Sequence, residues 1–427
     1  MTERLYYADS FLTDFDAVVT DIQELSRSSG QSLWRVALDR SAFYPTSGGQ
    51  PYDTGNLIAT ARSGAELTAD VIGVEEDQQG EVWHHTAKPL AAGTQVRGVV
   101  DTARRLDHMQ QHSGQHLLSA AFIQICGART VSFHLGDIAS TIDVTADRLT
   151  DATLDAVEEL ANRIIAEDRP VTVSVVPRAH AETLLAAGEL RKLPPREGDL
   201  RIVEIADFDR NACGGTHVRS AGQIGGLYLR GLEKVHQGQR VEFVCGLRAM
   251  RAARSDFRRL TQAAGQLSVG LEELPQAIQR IQADAKQAAK HTLRLTNELA
   301  QYHAAQLIAQ TPVQAGQRWV RLQLTAASQT DTAYAKLLAS KVTAQAEKTI
   351  ALIGWQPTAA DDPATIVLAR SRDLTIDCGT LLRETVSTHG GRGGGSKDMA
   401  QGSVPAEKLE TVLQTLTDAC QKSVSAE

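Results

Sequence analysis

The chain has 427 residues, more than one hydrophobic core usually organises, so we expect about two to four domains. Its hydrophobic content of 42% and charged content of 22% are typical of a soluble globular protein, and neither a membrane-spanning run nor a signal peptide is evident, so the expected location is the cytosol. The net charge is −11 over residues 1–246, +4 over 247–311 and 0 over 312–427, so bulk charge gives no sign of a nucleic-acid-binding protein.

Residues 1–100 alternate apolar and polar side chains in short runs separated by Gly, Asp and Ser. The runs are DAVVTDIQEL, SLWRVALD, NLIATAR, ADVIGVEE, EVWHHTA and TQVRGVVD. A repeat of two residues places one face of a strand in a core and the other face in solvent. This segment is therefore predicted to be an antiparallel sheet or a β-barrel-like domain.

A helix is predicted over residues 104–126, and it carries the run HSGQH at residues 112–116. Residues four apart lie one above the other on a helix face, so His112 and His116 can direct both imidazoles at one point. An isolated HxxxH is more often a pair of solvated polar residues, so a metal site requires a second half elsewhere. His108 lies one turn earlier on the same face and competes as a ligand, but a position outside the ligand set is the better interpretation.

The second half follows in DFDRNACGGTHVRSAGQIG, after a helix predicted over residues 153–168 and a strand predicted in RPVTVSVVP. A Gly-Gly-Thr turn separates Cys213 from His217, and the two glycines allow the backbone to turn tightly. The chain has five scattered cysteines, which argues against a disulfide framework and favours a cysteine ligand. One thiolate and three imidazoles suit Zn²⁺ better than hard cations. The sequence predicts a zinc site at His112, His116, Cys213 and His217.

Residues 247–311 are predicted to form a helical hairpin arm. Apolar or small residues recur there with the spacing of a heptad seam, at Leu274, Ile278, Ile281, Ala285, Ala288, Leu295, Leu299 and Tyr302. Such a seam predicts a long helix that packs on the helix before it. The earlier helix begins with a group of arginines, and a solvated face or phosphate contacts explain this group equally well: Arg248, Arg251, Arg254, Arg258 and Arg259.

Residues 312–427 return to β-rich runs that alternate with helices, namely RWVRLQL, KTIALIGW, ATIVLARS and LTIDCG. This alternation predicts a C-terminal α/β domain. The whole chain is therefore predicted to be a multidomain α+β protein.

Four stretches of the sequence resemble the alanyl-tRNA synthetases and the free-standing AlaX-type editing proteins. HSGQHLL and CGGTHV are similar to their shared editing domain, and SAFYPTSGGQPYDTG at 41–55 is similar to the Gly-rich loop of its N-terminal barrel. HGGRGGGSKDMAQG at 389–402 resembles the glycine motif of the synthetases' C-terminal domain. The resemblance covers essentially the whole chain. Because a class II aminoacylation module precedes the editing domain in a synthetase, whereas this sequence begins at the barrel, the resemblance implies a long AlaX-type protein.

The resemblance divides the chain into a β-barrel-like part of the editing module, the zinc-binding editing domain, a helical arm and a tRNA-binding α/β domain. Their boundaries are 1–100, 101–246, 247–311 and 312–427. The implied activity is zinc-dependent hydrolysis of mischarged tRNA(Ala), chiefly seryl-tRNA(Ala) and also glycyl-tRNA(Ala). An alanine pocket cannot strongly reject either amino acid, so a second hydrolytic site is needed.

Several residues acquire roles from the resemblance. Thr46 is expected to contact the serine hydroxyl, and Gln50 to order the same loop or to reach the terminal adenosine. His134, in VSFHLGD, is assigned to a position where synthetases usually carry glutamine, and is expected to orient water or to contact the adenosine. Gln115 replaces a threonine that synthetases often carry inside HxxxH. Zinc would either activate water after expanding its coordination or bind the substrate α-amine, because four protein ligands leave no vacant tetrahedral position.

The resemblance also implies how tRNA is held. The C-terminal domain is expected to dock on the outer corner of the tRNA, with a phosphate-binding loop in the glycine motif. The implied contacts are Gly390, Gly391, Arg392, Gly393, Gly394, Gly395 and Lys397. Lys234 and Arg240 flank the zinc-binding half in sequence, where contact with the acceptor end and plain surface charge explain them equally well. A homodimer through the helical arm or the C-terminal domain is a further expectation.

Two other classes of function stay open at this point. A non-catalytic zinc-containing tRNA-binding protein is compatible with a closed set of four ligands. A nucleotide phosphoesterase is suggested by the C-terminal domain alone, but the sequence has no DHH triplet.

Overall fold

The computed structural model describes residues 1–28, 31–61, 63–195, 197–328, 330–359 and 361–424. The chain divides into two compact units, Met1–Ala263 and Ala264–Glu427. Within the described ranges, none of the helices combines the length and apolar character needed to cross a membrane.

The first part of unit Met1–Ala263 is a closed six-stranded barrel, as the alternating runs predicted. Its elements are β1 (Glu3–Arg4), α1 (Leu5–Ala8), β2 (Asp14–Ser28), β3 (Gln31–Leu38), β4 (Arg40–Ser41), β5 (Gly55–Thr60), β6 (Glu66–Glu76), β7 (Val82–Thr86) and β8 (Gln95–Val100). The barrel closes in the order β2-β3-β7-β6-β5-β8, and Val36, Leu57 and Ala69 belong to its core. Gly98 makes room in this core, because a Cβ there would lie 2.4 Å from the ring of Phe15.

A buried ion pair fixes the loop between β4 and β5. Arg105 is 1% exposed, and its guanidinium lies 2.5 Å from the carboxylate of Asp53 and also donates to two backbone carbonyl oxygens. Asp53 is fully buried and accepts a further hydrogen bond from the backbone N–H of Tyr44 at 2.7 Å. A buried charge is tolerated when it is paired and hydrogen-bonded in this way. The pair therefore anchors a loop that contains Thr46 and Gln50.

The second part of the same unit combines helices with two antiparallel sheets. Its elements are α2 (Thr102–Cys126), β9 (Thr130–Leu135), β10 (Ser140–Val144), α3 (Asp151–Ala166), β11 (Val171–Val176), α4 (Arg178–Ala186), β12 (Leu200–Ile205), β13 (Asp209–Ala212), β14 (Leu227–Val235), β15 (Gly238–Cys245) and α5 (Gly246–Gln266). The sheets have the orders β14-β15-β10-β9 and β11-β12-β13. The predicted helices at 104–126 and 153–168 correspond to α2 and α3.

Helix α2 has clear start and stop signals. The side chain of Asp101 accepts hydrogen bonds from the N–H groups of the first turn, and Gly127 ends the helix with a left-handed φ of 70°. One face buries Leu117, Leu118 and Phe122 in the core of this second part. The opposite side of the helix is thereby left to carry polar residues.

Helix α6 (Leu274–Gln310) is the long helix that the heptad pattern predicted, but most of the large apolar residues of the seam are exposed. Their exposed fractions run from 43% at Ile278 to 77% at Tyr302, with Ile281, Leu295 and Leu299 between them. The buried side chains of the helix are Leu274, Ala277, Ala300 and Ala304. Ala300 and Ala304 join a core with α7 (Thr332–Gln345), because small side chains allow close packing on that side. The prediction that this seam is buried against the preceding helix is therefore wrong for its large apolar residues, which are exposed.

The C-terminal part is an α/β domain, as predicted, with the sheet order β16-β17-β18-β19-β21-β20. Its remaining elements are β16 (Val313–Gln314), β17 (Gln317–Thr325), β18 (Thr349–Gln356), β19 (Ala364–Arg370), α8 (Cys378–Thr388), β20 (Arg392–Gly395), β21 (Met399–Val404) and α9 (Leu409–Val424). The prediction of a strand in LTIDCG is wrong, because a helix begins at Cys378 within this segment. The side chain of Asp377 caps it by accepting from the N–H of Thr380 at 3.0 Å.

The glycine motif is not the phosphate-binding loop that was predicted. Arg392–Gly395 is an edge strand paired antiparallel with β21, and only Gly390 in the motif has a positive φ, of 79°. Close packing explains two of the glycines, because a Cβ at Gly391 would lie 2.2 Å from the carbonyl oxygen of Ser403 and one at Gly395 would lie 2.4 Å from that of Met399. A strand cannot present successive N–H groups to one anion as a nest does.

Candidate metal centre

The structure brings together the four side chains predicted as metal ligands. His112 and His116 come from successive turns of α2, and Cys213 and His217 come from the turn that follows β13. The Nε2 atoms of His112 and His217 each lie 3.3 Å from the Sγ of Cys213. Potential ligand atoms of all four residues lie within 4.8 Å of one another. The three histidines are buried, so the cluster lies inside the fold.

The turn between Cys213 and His217 requires glycine at one of its two glycine positions. A Cβ on Gly215 would lie 2.1 Å from the imidazole of His112, whereas a Cβ on Gly214 would meet only the Tyr7 side chain, at 3.6 Å. Arg201 holds the same turn by donating to the carbonyl oxygens of Cys213 and Gly215 at 2.8 and 3.0 Å. Arg201 lies on β12, and no motif in the sequence indicates its role in this turn.

Each histidine of the cluster has a hydrogen-bond partner at Nδ1. His112 is 2.8 Å from the amide oxygen of Gln50, His116 is 3.2 Å from the carboxylate of Asp209, and His217 is 3.1 Å from the hydroxyl of Ser113. Amide and carboxylate oxygens only accept, so His112 and His116 donate from Nδ1. Such partners fix the ring orientation and raise the basicity of the ligating nitrogen.

Asp209 contacts a candidate ligand and was not predicted from the sequence. It lies four residues before Cys213 in DFDRNAC and pairs with Arg191 at 2.9 Å as well as with His116. An acidic residue just before a predicted cysteine ligand is the signal that could have identified it.

Protonation in this cluster suits metal binding. Burial raises the pKa of a thiol, but the charge of the neighbouring imidazoles and their hydrogen bonds lower the pKa of Cys213 well below its ordinary value. Burial lowers the pKa of His217 to about 3, so this ring is neutral. Burial also acts to lower the pKa of His116, but hydrogen bonds to Asp209 and Cys213 raise it to about 9. A metal ion would displace that proton, because ligating histidines are neutral.

The donor set and its spacing fit a four-coordinate metal ion. Metal–nitrogen bonds of about 2.0–2.1 Å and metal–sulfur bonds of about 2.3 Å place tetrahedral ligand atoms roughly 3.3–3.6 Å apart. For a sulfur–nitrogen pair the expected separation is about 3.5–3.6 Å, and the two Cys213–histidine separations of 3.3 Å come close to it. Because the four ligand atoms lie up to 4.8 Å apart, the side chains would have to move closer together around a bound ion.

The other predicted site residues differ in whether they contact the cluster. Gln50 is fully buried, and its amide links the barrel loop to His112 and Thr216, so it orders the loop. Thr46 is exposed on the same loop, and its N–H donates to the carbonyl of Val74 at 3.2 Å. His108 is buried 3.9 Å from Asp53 and lies outside the ligand set.

Phe133, and not the predicted His134, is the residue of β9 that lies at the cluster. Side chains alternate along β9, and it is the ring of Phe133 that packs against His112, with centroids 5.8 Å apart. A Cβ on Gly49 would lie only 2.6 Å from the ring of Phe133, so this ring also packs closely against Gly49 of the barrel loop. His134 is exposed, so the structure does not bring it to the cluster.

The predicted tRNA contacts differ in their availability. Lys234 on β14 and Arg392 and Lys397 near β20 are exposed. Arg240 forms a two-point ion pair with Asp143, at 2.7 and 3.0 Å, so its guanidinium is already engaged.

Asp209→Asn is expected to weaken metal binding by about 10–100-fold, because the partner that orients His116 and raises its basicity loses its charge. A competition titration against a chromophoric chelator measures the affinity. Asp207→Asn is the matched control, because Asp207 is exposed and has a left-handed φ of 54° that asparagine also adopts. Equal affinities in both variants would show that Asp209 does not support the cluster.

Comparisons with known proteins match three parts of the chain. The family described as "tRNA synthetases class II (A)" matches residues 1–104, the "Threonyl and Alanyl tRNA synthetase second additional domain" matches 200–242, and the "DHHA1 domain" matches 321–422. The second of these segments contains Cys213 and His217.

Curated relatives match almost the full chain. An alanine–tRNA ligase of Pyrococcus abyssi is 30% identical over 434 residues, covering 97% of this chain and 44% of the ligase. The alanine–tRNA ligase of Halobacterium salinarum is 32% identical over 431 residues, covering 100% of this chain and 45% of the ligase. The chain thus spans less than half the length of these relatives. Among solved structures, the C-Ala domain of Aquifex aeolicus alanyl-tRNA synthetase matches 25% of this chain and 93% of its own, at 19% identity and a TM-score of 0.22.

Proposed function

Because the chain is an AlaX-like relative of the alanyl-tRNA synthetases, similar to them over nearly its whole length, we propose that it is an editing hydrolase. It removes the wrong amino acid from tRNA(Ala) in trans by hydrolysing the ester bond to the terminal ribose. The main substrate is seryl-tRNA(Ala), with glycyl-tRNA(Ala) as a second one. The observation that carries this proposal is the buried His₃Cys cluster, two of whose members lie in the segment that matches the second additional domain.

Zinc is the proposed metal ion. Soft thiolate and borderline imidazole donors in a tetrahedral set favour it over Mg²⁺ or Ca²⁺, which prefer oxygen ligands. His112, His116, Cys213 and His217 would hold it. When bound, it would supply a Lewis-acidic positive charge beside the reacting ester.

The residues of the chain itself position the substrate in this proposal. Gln50 fixes the barrel loop against His112, and Thr46 is exposed four residues earlier on that loop. Thr46 accordingly binds the serine hydroxyl by a hydrogen bond. A site that hydrogen-bonds this hydroxyl discriminates against alanine, which has no hydroxyl to pair with Thr46 once the substrate covers it.

The tRNA is held partly by the C-terminal α/β domain. Its exposed basic residues Arg392, at the start of the edge strand β20, and Lys397, just after that strand, are the proposed phosphate contacts there.

A deacylation assay with purified protein tests the proposal. Catalytic amounts of the full chain are expected to release serine from seryl-tRNA(Ala) over many turnovers, to release glycine more slowly, and to leave alanyl-tRNA(Ala) intact. Metal analysis is expected to give about one zinc ion per chain. Tight tRNA binding without turnover would instead identify a non-catalytic tRNA-binding protein with a structural metal site.

Thr46→Val is expected to reduce hydrolysis of seryl-tRNA(Ala) selectively. Valine keeps the shape and removes the hydroxyl, so the transition state loses about 0.5–1.5 kcal/mol, or roughly 2- to 13-fold in kcat/KM. Hydrolysis of glycyl-tRNA(Ala) has no hydroxyl to lose and serves as the internal control. Equal losses for both substrates would show that Thr46 shapes the pocket without contacting the hydroxyl.

A further inference from the structure

Helix α5 carries a basic stripe along one side. Arg251, Arg254 and Arg258 are three and four residues apart, a spacing that aligns side chains on one helix face. At a rise of about 1.5 Å per residue, the stripe is roughly 10 Å long. All three arginines are exposed. The three guanidiniums therefore present a straight row of positive charge to solvent.

Among the residues that the structure describes, the three stripe arginines have no acidic partner, a property they share with exposed Arg129 and Arg148 but not with several other exposed arginines of the same unit. Arg97, Arg163 and Arg219 are exposed as well, but each pairs with a carboxylate at 3.0 Å or less. Across the described ranges of the chain, no ion pair is found for any of the three stripe arginines. The surrounding residues 1–246 have a net charge of −11, so acidic groups are abundant in this part of the protein. A row that remains unpaired there favours an anionic partner outside the chain.

The beginning of α5 is fixed to the helix that carries the metal ligands. Gln111, next to His112 on α2, exchanges two hydrogen bonds with the backbone of Cys245, at 2.9 and 3.1 Å. Arg248 pairs with Asp107 on the same helix. The stripe begins three residues later on a continuous helix, so its orientation relative to His112 and His116 is set by these contacts.

Apolar side chains accompany the stripe. Met250 is 68% exposed, and Phe257 is 53% exposed, on an adjacent face of the helix. Basic residues beside exposed aromatic and apolar ones are typical of surfaces that bind nucleic acid, and also of helices that bind anionic membranes. The similarity to alanine–tRNA ligases favours nucleic acid.

We propose that the stripe of Arg251, Arg254 and Arg258 binds the phosphate backbone of duplex RNA, and that it holds the acceptor arm of the substrate beside the metal centre. The assignment to the acceptor arm rests on the proposed function, whereas the binding of duplex RNA does not. A rigid helix with evenly spaced guanidiniums matches the regular row of phosphates along a duplex. This surface lies wholly within unit Met1–Ala263 and is distinct from the C-terminal contacts.

The test uses the full chain with Arg251→Gln, Arg254→Gln and Arg258→Gln combined. Fluorescence anisotropy measures the affinity for a labelled RNA hairpin with the acceptor-stem sequence, over a range of salt concentrations. Affinity is expected to fall about tenfold near physiological salt. The slope of log K against log salt is expected to flatten by roughly 2–3 units, because each lost phosphate contact removes about 0.7–0.9. KM for deacylation should rise far more than kcat falls.

Two matched variants accompany the test. Lys88→Gln, Arg148→Gln and Lys192→Gln remove three exposed positive charges elsewhere in the same unit, and are expected to change the slope little. Replacing the three stripe arginines with lysine keeps the charge and should preserve most of the binding. An equal loss in the two glutamine triples would overturn the proposal, because it would reflect net charge alone.

Other outcomes separate this inference from the proposed function. If the stripe variant loses RNA affinity while no variant hydrolyses seryl-tRNA(Ala), the RNA surface stands and the editing activity fails. If the wild type hydrolyses seryl-tRNA(Ala) and the stripe variant binds the hairpin normally, the inference fails alone. Loss of binding to phosphatidylserine vesicles with unchanged hairpin binding would assign the stripe to a membrane surface and would also overturn it.

Discussion

Gly215→Ala is expected to lower metal affinity by more than about 100-fold, beyond the usual effect of changing a partner outside the ligand set. The added methyl group would lie 2.1 Å from the imidazole of His112 and 2.9 Å from the amide oxygen of Gln50. Neither can retreat easily, because both are buried and hydrogen-bonded to each other. The variant must therefore displace either the turn that carries Cys213 or the ring of His112. Metal content after purification and chelator competition measure the loss.

Gly214→Ala is the control, because it adds the same group one position earlier. Its Cβ would meet only Tyr7, at an ordinary contact distance of 3.6 Å. It should retain metal binding within a few-fold. Similar metal loss in both alanine variants would mean that the turn needs two flexible residues, and that the clash with His112 is not the reason for glycine at 215.

Arg105→Met is expected to destabilise the barrel by about 3–5 kcal/mol, since it leaves the carboxylate of Asp53 buried without its cation. The loop that carries Thr46 and Gln50 loses its anchor at the same time. Hydrogen exchange resolved to peptides of the barrel, combined with urea unfolding, measures both effects.

Arg104→Met provides the comparison for this prediction. Arg104 is the adjacent residue on α2, is partly exposed, and donates to the carbonyl oxygen of Tyr52 at 3.0 Å. Its replacement leaves no buried charge unpaired and should cost less than about 1 kcal/mol. If both methionine variants unfold at the same urea concentration, the buried ion pair stabilises the barrel no more than a surface contact does, which would contradict the prediction.

The ligand set of the candidate metal centre could be predicted from the sequence because its chemistry is local in two places. The HxxxH spacing fixes two imidazoles on one helix face, and the Cys-Gly-Gly-Thr-His turn fixes the other two ligands. The partners of the ligands could not be predicted in this way. Gln50 lies in the barrel loop, 62 residues before His112. The local sequence around residue 50 does not show which side chain it will contact.

The barrel and the two main helices were predictable because a single periodicity dominates each segment. Prediction failed where tertiary context decides. The residues Thr375 and Ile376 suggest a strand in LTIDCG, but the cap formed by Asp377 starts a helix instead. Alternation along β9 places Phe133 at the cluster and leaves His134 exposed, and the motif around residues 131–137 does not show which of the two side chains faces inward. A heptad spacing likewise shows which α6 residues share a face, but not whether that face is covered.

The amide of Gln50 has a consequence for the order of folding. It bonds to His112, 62 residues away in sequence, and to Thr216, 166 residues away. Contacts that close such long loops bear a high entropic cost until the segments they join are already structured. We therefore expect the barrel loop, α2 and the Cys213 turn to be in place before the histidines acquire their final orientation. The metal centre would then form late in folding, and a bound ion would report that the barrel and the second part of the unit have docked correctly.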